Sequence, residues 1–425
     1  MPTLFPHHLK ALATLFVILS FAGHAKADDV QSRQVPGAFH EVKPSNLPAP
    51  TASPFINNPP LKIERPLRAT LAVPEGFEAT LFAQGLDNPR NLAVSPSGDV
   101  YVADSRTGRI LALRDSDRNG RADRQAVIAS GLARPHGLTF QGNNLYIADT
   151  HAVWRIPFVN GSPRSARPER ITERGALGPA DGHWSRNIIF QPDGERFFVS
   201  IGSRTNVEED PTPRGTIQVF NADGTNQQSF ASGLRNPVGM AIYPGSDSLF
   251  TVVQERTGLG DGLVPDFLTE VVEDGFYGWP YAYIGTNPQP GLADTRPDKV
   301  ASSLTPDLLF ATQSSPTGLT FYTGTQFPVR YRGGAFVTLR GSSAKTEPTG
   351  YKVVFVPFNR GTPSGGYETF ISGWWQLGPQ ALPRSGRFQA RIWGRPTGIA
   401  ETPDGSLLIA DDTGGDIWLI RYIGG

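Results

Sequence analysis

The chain has 425 residues, 39 Lys and Arg against 39 Asp and Glu, and no cysteine. Zero net charge argues against nucleic-acid binding, which needs a basic excess over the phosphates. The missing cysteines exclude disulfides, thiolate zinc sites and a Cys nucleophile. With 47 Gly and 38 Pro the chain is turn-rich, yet 38% hydrophobic and 10% aromatic residues supply a core.

Residues 1–27 read as a secretory signal. A short polar start (His7, His8, Lys10) precedes the apolar run Ala11–Gly23, and Ala25-Lys26-Ala27 follows as an A-x-A cleavage site. The run falls short of the about 20 residues a membrane helix needs. The mature chain is therefore expected in the periplasm or outside the cell, with no membrane span. No nicotinamide pool exists there, so redox chemistry would need a tightly held cofactor. Residues 28–72, rich in Pro and polar side chains, are expected to form a disordered lead-in.

Residues 73–425 carry one recurring pattern. A Gly-Leu step leads through Pro into an apolar strand, a Gly turn, and a second apolar strand ending in Asp or Ser. It appears at Gly85–Asp104, Gly131–Asp149, His183–Ser200, Gly233–Val252, Pro316–Val337 and Arg395–Asp411. Short apolar strands and Gly turns point to all-β structure. Repetition of such units is the signature of a six-bladed β-propeller. The regular phase argues against a β-sandwich pair. Residues 281–310 form an irregular insertion.

In a propeller the opening strand of each unit lines the central channel. Arg90, Arg134 with His136, His183 with Arg186, Arg235 with Asn236, and Arg395 share that phase, so they are expected to converge at the channel mouth. Such guanidiniums suit a flat, multiply anionic ligand. His151 follows the far end of a strand and is expected at the surface.

Particular blocks carry a resemblance. They are Gly182-His183-Trp184-Ser185-Arg186, Phe190-Gln191-Pro192-Asp193-Gly194, Ala231–Gly239 with Arg235-Asn236-Pro237, Gly275–Pro280, Thr349–Val353 and Gly394–Gly398. In this order they resemble the soluble pyrroloquinoline-quinone (PQQ)-dependent sugar dehydrogenases, in particular the sorbosone dehydrogenase branch. The resemblance runs from about Phe77 to Tyr422. It implies a six-bladed propeller that oxidises a sugar or sugar-derived aldehyde with PQQ and Ca2+. It places the general base at His183, where a histidine suits removal of an O–H proton as hydride leaves carbon. It places Arg235, Asn236 and Arg395 at the quinone, with Arg90 and His136 as further contacts to cofactor or substrate. It places calcium at the carbonyls of Glu255 and Arg256, with Asp266, and Asp261 nearby, shaping that loop or holding a second ion.

The chain departs from that family after Val337. Arg340-Gly341-Ser342-Ser343-Ala344-Lys345 stands where relatives carry His-Gly-Ser-Trp-Asn-Arg. The family's quinone-contacting lysine aligns near Thr323, which holds no charge, and Lys345 or Arg340 is the candidate replacement. The chain has no Cys pair to attach haem, so electrons must pass to a separate cytochrome or quinone. Two other classes share the architecture. One is a non-catalytic propeller binding a carbohydrate or protein partner. The other is a calcium-dependent lactonase, which would need convergent carboxylates where this chain has Arg and His.

Overall fold

A computed structural model describes residues 30–159, 162–163, 167–376 and 389–424. The expected leader, residues 1–27, lies outside the described residues. Nearly all regular structure is β. Among the described residues, the helical segments are single short turns such as Pro297–Ala301, within the irregular 281–310 stretch. No described helix is long and apolar enough to cross a membrane.

Each sequence repeat forms one antiparallel sheet. The opening strands are β1 (Pro89–Val94), β2 (Gly137–Gln141), β3 (Arg186–Phe190), β4 (Pro237–Ile242), β5 (Pro316–Phe321) and β6 (Pro396–Glu401). Each heads a sheet of four or five strands. Each packs on the next, and β6 returns to pack on β1, so the arrangement is propeller-like and closed. Closure is covalently economical: Phe77–Ala83 pairs antiparallel with the last strand, Asp416–Tyr422, joining the two ends of the body in one sheet. No long unpaired edge remains there.

The repeat's small residues are explained by this ring. A Cβ on Gly137 would lie 2.8 Å from the Arg186 carbonyl, one on Gly318 2.4 Å from Thr397 O, and one on Gly398 2.8 Å from the Asn91 Cα. Neighbouring opening strands approach too closely for a side chain. The two repeats lacking Gly at this position carry Asn91 and Asn187, and these bond to each other at 3.2 Å. The Asp ending the second strand is equally structural. Asp104 accepts from the Asn88 N–H at 2.6 Å, Asp149 from Ala133 at 3.0 Å, and Asp411 from Arg395 at 2.7 Å. Each carboxylate thus pins the backbone just before, or at the entry to, an opening strand.

The apolar core lies between adjacent sheets. Leu92, Val102 and Leu111 pack with Leu408, Ile417 and Leu419, and Phe250 and Val252 pack with Phe321 and Val337. Burying each such side chain stabilises the fold by about 1.5–3 kcal/mol.

The lead-in is a correction to the sequence reading. From residue 30 onward it is docked rather than disordered. Phe39–His40 adds to the sheet edge at Tyr367–Glu368, and Leu61–Lys62 pairs parallel with Arg391–Ile392. Arg65 reaches the buried Asp416 at 2.7 Å. Its polar composition concealed this, because the apolar residues that dock it, such as Val42, Leu47, Ile63 and Leu71, are scattered along the segment without a period.

Candidate active site

The site is organised by a carboxylate. Asp412 follows the capping Asp411 and is buried. Arg90 meets it through Nη1 at 2.5 Å, Arg340 through Nε at 2.8 Å, and Arg395 through Nε at 3.3 Å. The three arginines come from three sheets: Arg90 from β1, Arg395 just before β6, and Arg340 just after Ala335–Leu339. Burial alone would raise the Asp412 carboxyl. Arg340, Arg90 and Arg395 outweigh it and hold the group far below the usual carboxylate range. Arg90 is lowered to about 10, burial being opposed by Asp412.

Beside this cluster lies a cavity of about 230 Å³, lined by Arg90, Arg340, His183, Trp184, Asn236 and Asp412 among others. Trp184 gathers further groups. Its ring lies 5.1 Å from the Arg90 guanidinium carbon, 5.7 Å from that of Arg134 and 6.0 Å from the His136 ring.

His183 sits just before β3. Its Nδ1 lies 2.9 Å from the Ser203 carbonyl and 3.1 Å from the Ser203 hydroxyl. A carbonyl only accepts, so Nδ1 carries the proton and Nε2 keeps its lone pair. Burial, then Arg235, lowers His183 to about 3 against the opposing Ser203 bond. The ring is neutral at pH 7. His136 is lowered to about 3 by burial and then by Arg90, and its Nδ1 is buried without a partner. The Arg90 Nε and Asn236 Oδ1 are likewise buried and unpartnered. An unsatisfied buried polar atom costs about 1–3 kcal/mol. Two of these three belong to residues lining the cavity, which marks it as built for a polar ligand.

The expected convergence of arginines is realised only in part. Arg90 and Arg395 meet at Asp412, and Arg134 reaches Trp184. Arg186 does not join them: fully buried, it donates to the carbonyls of Leu177, Pro179 and His183. Arg235 is committed to Asn206 at 3.0 Å and to the Glu255 carbonyl at 2.9 Å, while its neighbour Asn236 lines the cavity and donates to Gln254 Oε1 at 3.0 Å. Of the two replacement candidates, Arg340 lines the cavity. Lys345 lines a separate cavity of about 340 Å³ with Lys352 and His40. Thr323 lies elsewhere, bonded to Glu401. His151 is exposed, as expected.

The residues expected to hold metal cluster, and the Asp266 oxygens and the Glu255 carbonyl already accept hydrogen bonds. Asp266 accepts the Glu255 N–H at 2.8 Å through one oxygen and the Ser315 N–H at 2.7 Å through the other. Burial raises it to about 7, against those two bonds. The Glu255 carbonyl holds Arg235, and the Arg256 guanidinium turns to the Thr257 carbonyl. Among the described residues no group of three or more His, Cys, Asp or Glu is placed to hold a metal ion.

Sequence reasoning missed Asp412, Asn206 and Arg214. The signal for Asp412 was present. Two other repeats end Ala-Asp-Ser (Ala103–Ser105) and Ala-Asp-Thr (Ala148–Thr150), whereas the last ends Ala410-Asp411-Asp412. The extra carboxylate stands where the others carry a hydroxyl. Arg214 binds the carbonyls of Asp181, His183 and Ser203 and lies outside any repeat, so no pattern announced it.

A family model described as TrAA12-like matches residues 71–260 and 284–423. A pyrroloquinoline quinone-dependent pyranose dehydrogenase of Coprinopsis cinerea is 24% identical over 422 residues, covering 84% of this chain and 55% of the relative. The chain thus spans about half the length of that curated relative. An uncharacterized protein of Borreliella burgdorferi is 25% identical over 368 residues, covering 84% of this chain and 92% of its own. Among solved structures, the holo pyranose dehydrogenase PQQ domain of C. cinerea superposes with a TM-score of 0.69 at 18% identity, over 85% of this chain and 99% of that one. The PQQ-bound aldose sugar dehydrogenase of Streptomyces coelicolor superposes with a TM-score of 0.56 at 15% identity, over 82% and 99%. At these identities the superpositions establish a common fold.

Proposed function

The chain belongs to the TrAA12-like family, and from that premise we propose that it is a quinoprotein oxidoreductase that oxidises a sugar or sugar-derived aldehyde with bound PQQ. One observation carries the reading: three arginines share a single buried carboxylate beside a neutral histidine whose Nε2 is free. PQQ is a flat tricarboxylate, and the residues present fit it. Arg90 spends Nη1 and Arg340 spends Nε on Asp412, and Arg395 Nε donates to Thr413 Oγ1, leaving other N–H groups for carboxylates. The unpartnered Arg90 Nε and Asn236 Oδ1 add a donor and an acceptor.

When bound, the quinone supplies a carbonyl that accepts hydride. His183 Nε2 takes the substrate hydroxyl proton, and Ser203 holds the ring in the tautomer that allows it. Asp412 keeps the arginines charged and converged. Burial, and after it Arg235, Arg214 and Arg186, keep His183 neutral. An anionic ligand offsets part of their field, which moves His183 back toward its ordinary range and makes it a stronger base.

The Glu255 and Arg256 carbonyls and Asp266 are the oxygens that would hold the calcium expected from the family. Asp266 and the Glu255 carbonyl are already committed, and no step here is routed through a metal. The finer parts of the proposal are a six-bladed propeller over residues 73–425, an exported mature chain, a sorbosone- or aldose-like substrate, and a separate cytochrome or quinone as electron acceptor. The blade count is supported by the six sheets of four or five strands.

The test is reconstitution of the purified protein with PQQ, with and without calcium, followed by dye-linked oxidation of aldoses and sorbosone. Reduction dependent on PQQ and sugar supports the proposal. PQQ binding without reduction of dye by any sugar favours a non-catalytic propeller, and absence of both sinks the quinoprotein reading.

A further inference from the structure

The docked lead-in crosses two loops that flank the site. One is residues 257–262, which follow Glu255. The other is residues 340–346, whose first member, Arg340, binds Asp412. The Thr51 N–H donates to the Leu259 carbonyl at 2.9 Å, and the Asp261 N–H donates to Ser53 Oγ at 2.8 Å. The fit is close: a Cβ on Gly260 would lie 2.6 Å from the Ser53 carbonyl, and one on Gly262 2.6 Å from the Pro48 ring. Five residues further on, the Asn58 N–H donates to the Ser343 carbonyl at 2.9 Å, and its Nδ2 to the Lys345 carbonyl at 2.9 Å. The two loops are also joined directly, because the Thr346 N–H donates to Asp261 Oδ1 at 3.1 Å. Ser53 is thus tied to Asp261, Asp261 to Thr346, and Asn58 to Ser343 and Lys345, and the covalent chain from Ser53 to Asn58 completes the link between the lead-in and both loops.

We propose that Ser53 and Asn58 are positioning residues for the active site, the lead-in acting as a clasp that fixes the 340–346 loop and with it the placement of Arg340 against the anionic ligand. The inference rests on the quinoprotein reading for its ligand, while the clasp itself is independent of it. Three loop carbonyls accept bonds from the lead-in and one loop N–H donates to it, and a net hydrogen bond is worth about 0.5–1.5 kcal/mol, so loss of one or two bonds changes loop opening by roughly tenfold.

The experiment uses the full mature chain with Asn58→Asp, which removes the Nδ2 donor without changing shape, and Ser53→Ala as an independent break on the other loop. Arg65→Ala serves as control, since it loosens the lead-in at Asp416, away from both loops. Hydrogen exchange by mass spectrometry reads the 340–349 amides, and fluorescence titration reads PQQ affinity. The clasp predicts roughly tenfold faster exchange at 340–349 in Asn58→Asp and PQQ binding weakened several-fold. It predicts faster exchange at 257–262 in Ser53→Ala, and wild-type exchange at 340–349 in Arg65→Ala. Unchanged exchange in both loop variants overturns the proposal. So does equal loosening by Arg65→Ala, or loop opening that leaves PQQ affinity within twofold of wild type. If wild type binds no PQQ, the quinoprotein reading fails while the exchange data still report on the clasp.

Discussion

Replacing Asp412 by Asn is the sharpest perturbation of the arginine cluster. Asn matches the carboxylate in size, so no cavity opens, but three guanidiniums lose their common counter-charge. The Arg90 side chain is only 8% exposed, against 27% for Arg340 and 25% for Arg395. Arg340 and Arg395 recover hydration by small rotations, and their share is discounted accordingly. Arg90 cannot, so its uncompensated charge dominates. Removing one partner of a buried ion pair costs about 3–5 kcal/mol. Asp412 is held below its unfolded value, so its contribution is complete above that value and is lost only as pH falls through the folded one. At pH 7 the full effect is measurable. Urea unfolding of Asp412→Asn should therefore show a loss of about 3–5 kcal/mol. A double-mutant cycle with Arg90→Met should return a coupling of at least about 1 kcal/mol. A loss below about 1 kcal/mol, or additive effects in the cycle, would refute the view that Asp412 holds the arginines together.

Three further outcomes follow from the same geometry. His183→Asn should leave PQQ affinity within a few-fold and reduce turnover by about 10²–10⁴; wild-type turnover in steady-state assays removes His183 from proton transfer. His136 is lowered to about 3 in the fold, so the unfolded chain binds the proton first, and its contribution, present above about pH 6.5, is lost as pH falls toward 3. Asp266 and Asp411, both raised to about 7, act with the opposite sign. The comparison is therefore with His136→Phe: the advantage of Phe over His should grow by about 2 kcal/mol between pH 7.5 and 5, and parallel stability curves would contradict this. The Asn206 side chain accepts from Arg235 Nη2 at 3.0 Å and from the Thr257 N–H at 3.1 Å, and donates to the Thr257 carbonyl at 3.0 Å. Asn206→Ala should cost about 1–3 kcal/mol in urea unfolding, and a neutral result would show that Arg235 finds other partners.

The fold was legible because propeller units repeat their chemistry. The Pro-x-Gly step, the Gly turn and the strand-ending Asp each answer to one local demand: close strand approach, chain reversal, or a backbone N–H to bind. The site was legible only to the level of phase. Arg90 and Arg186 share a place in the repeat, each one residue before the Asn of its opening strand, yet Arg186 turns to carbonyls while Arg90 meets Asp412. Side-chain direction depends on which acceptors lie nearby, and those of Arg186 include the Leu177 and Pro179 carbonyls, outside the repeat. The lead-in was misread for a related reason. Its bonds reach distant strands and loops, and composition does not record them.

The central claim is that the Asp412 cluster receives an anionic quinone beside His183. Trp184 lies in the same cavity and reports on it. The direct measurement is titration of PQQ against tryptophan fluorescence for wild type and for the double variant Arg90→Met/Arg340→Met. The account predicts saturable quenching in wild type and affinity weakened by at least about tenfold, close to one charge-assisted hydrogen bond, in the variant. Equal affinity in both proteins, or no saturable binding to wild type, would contradict it.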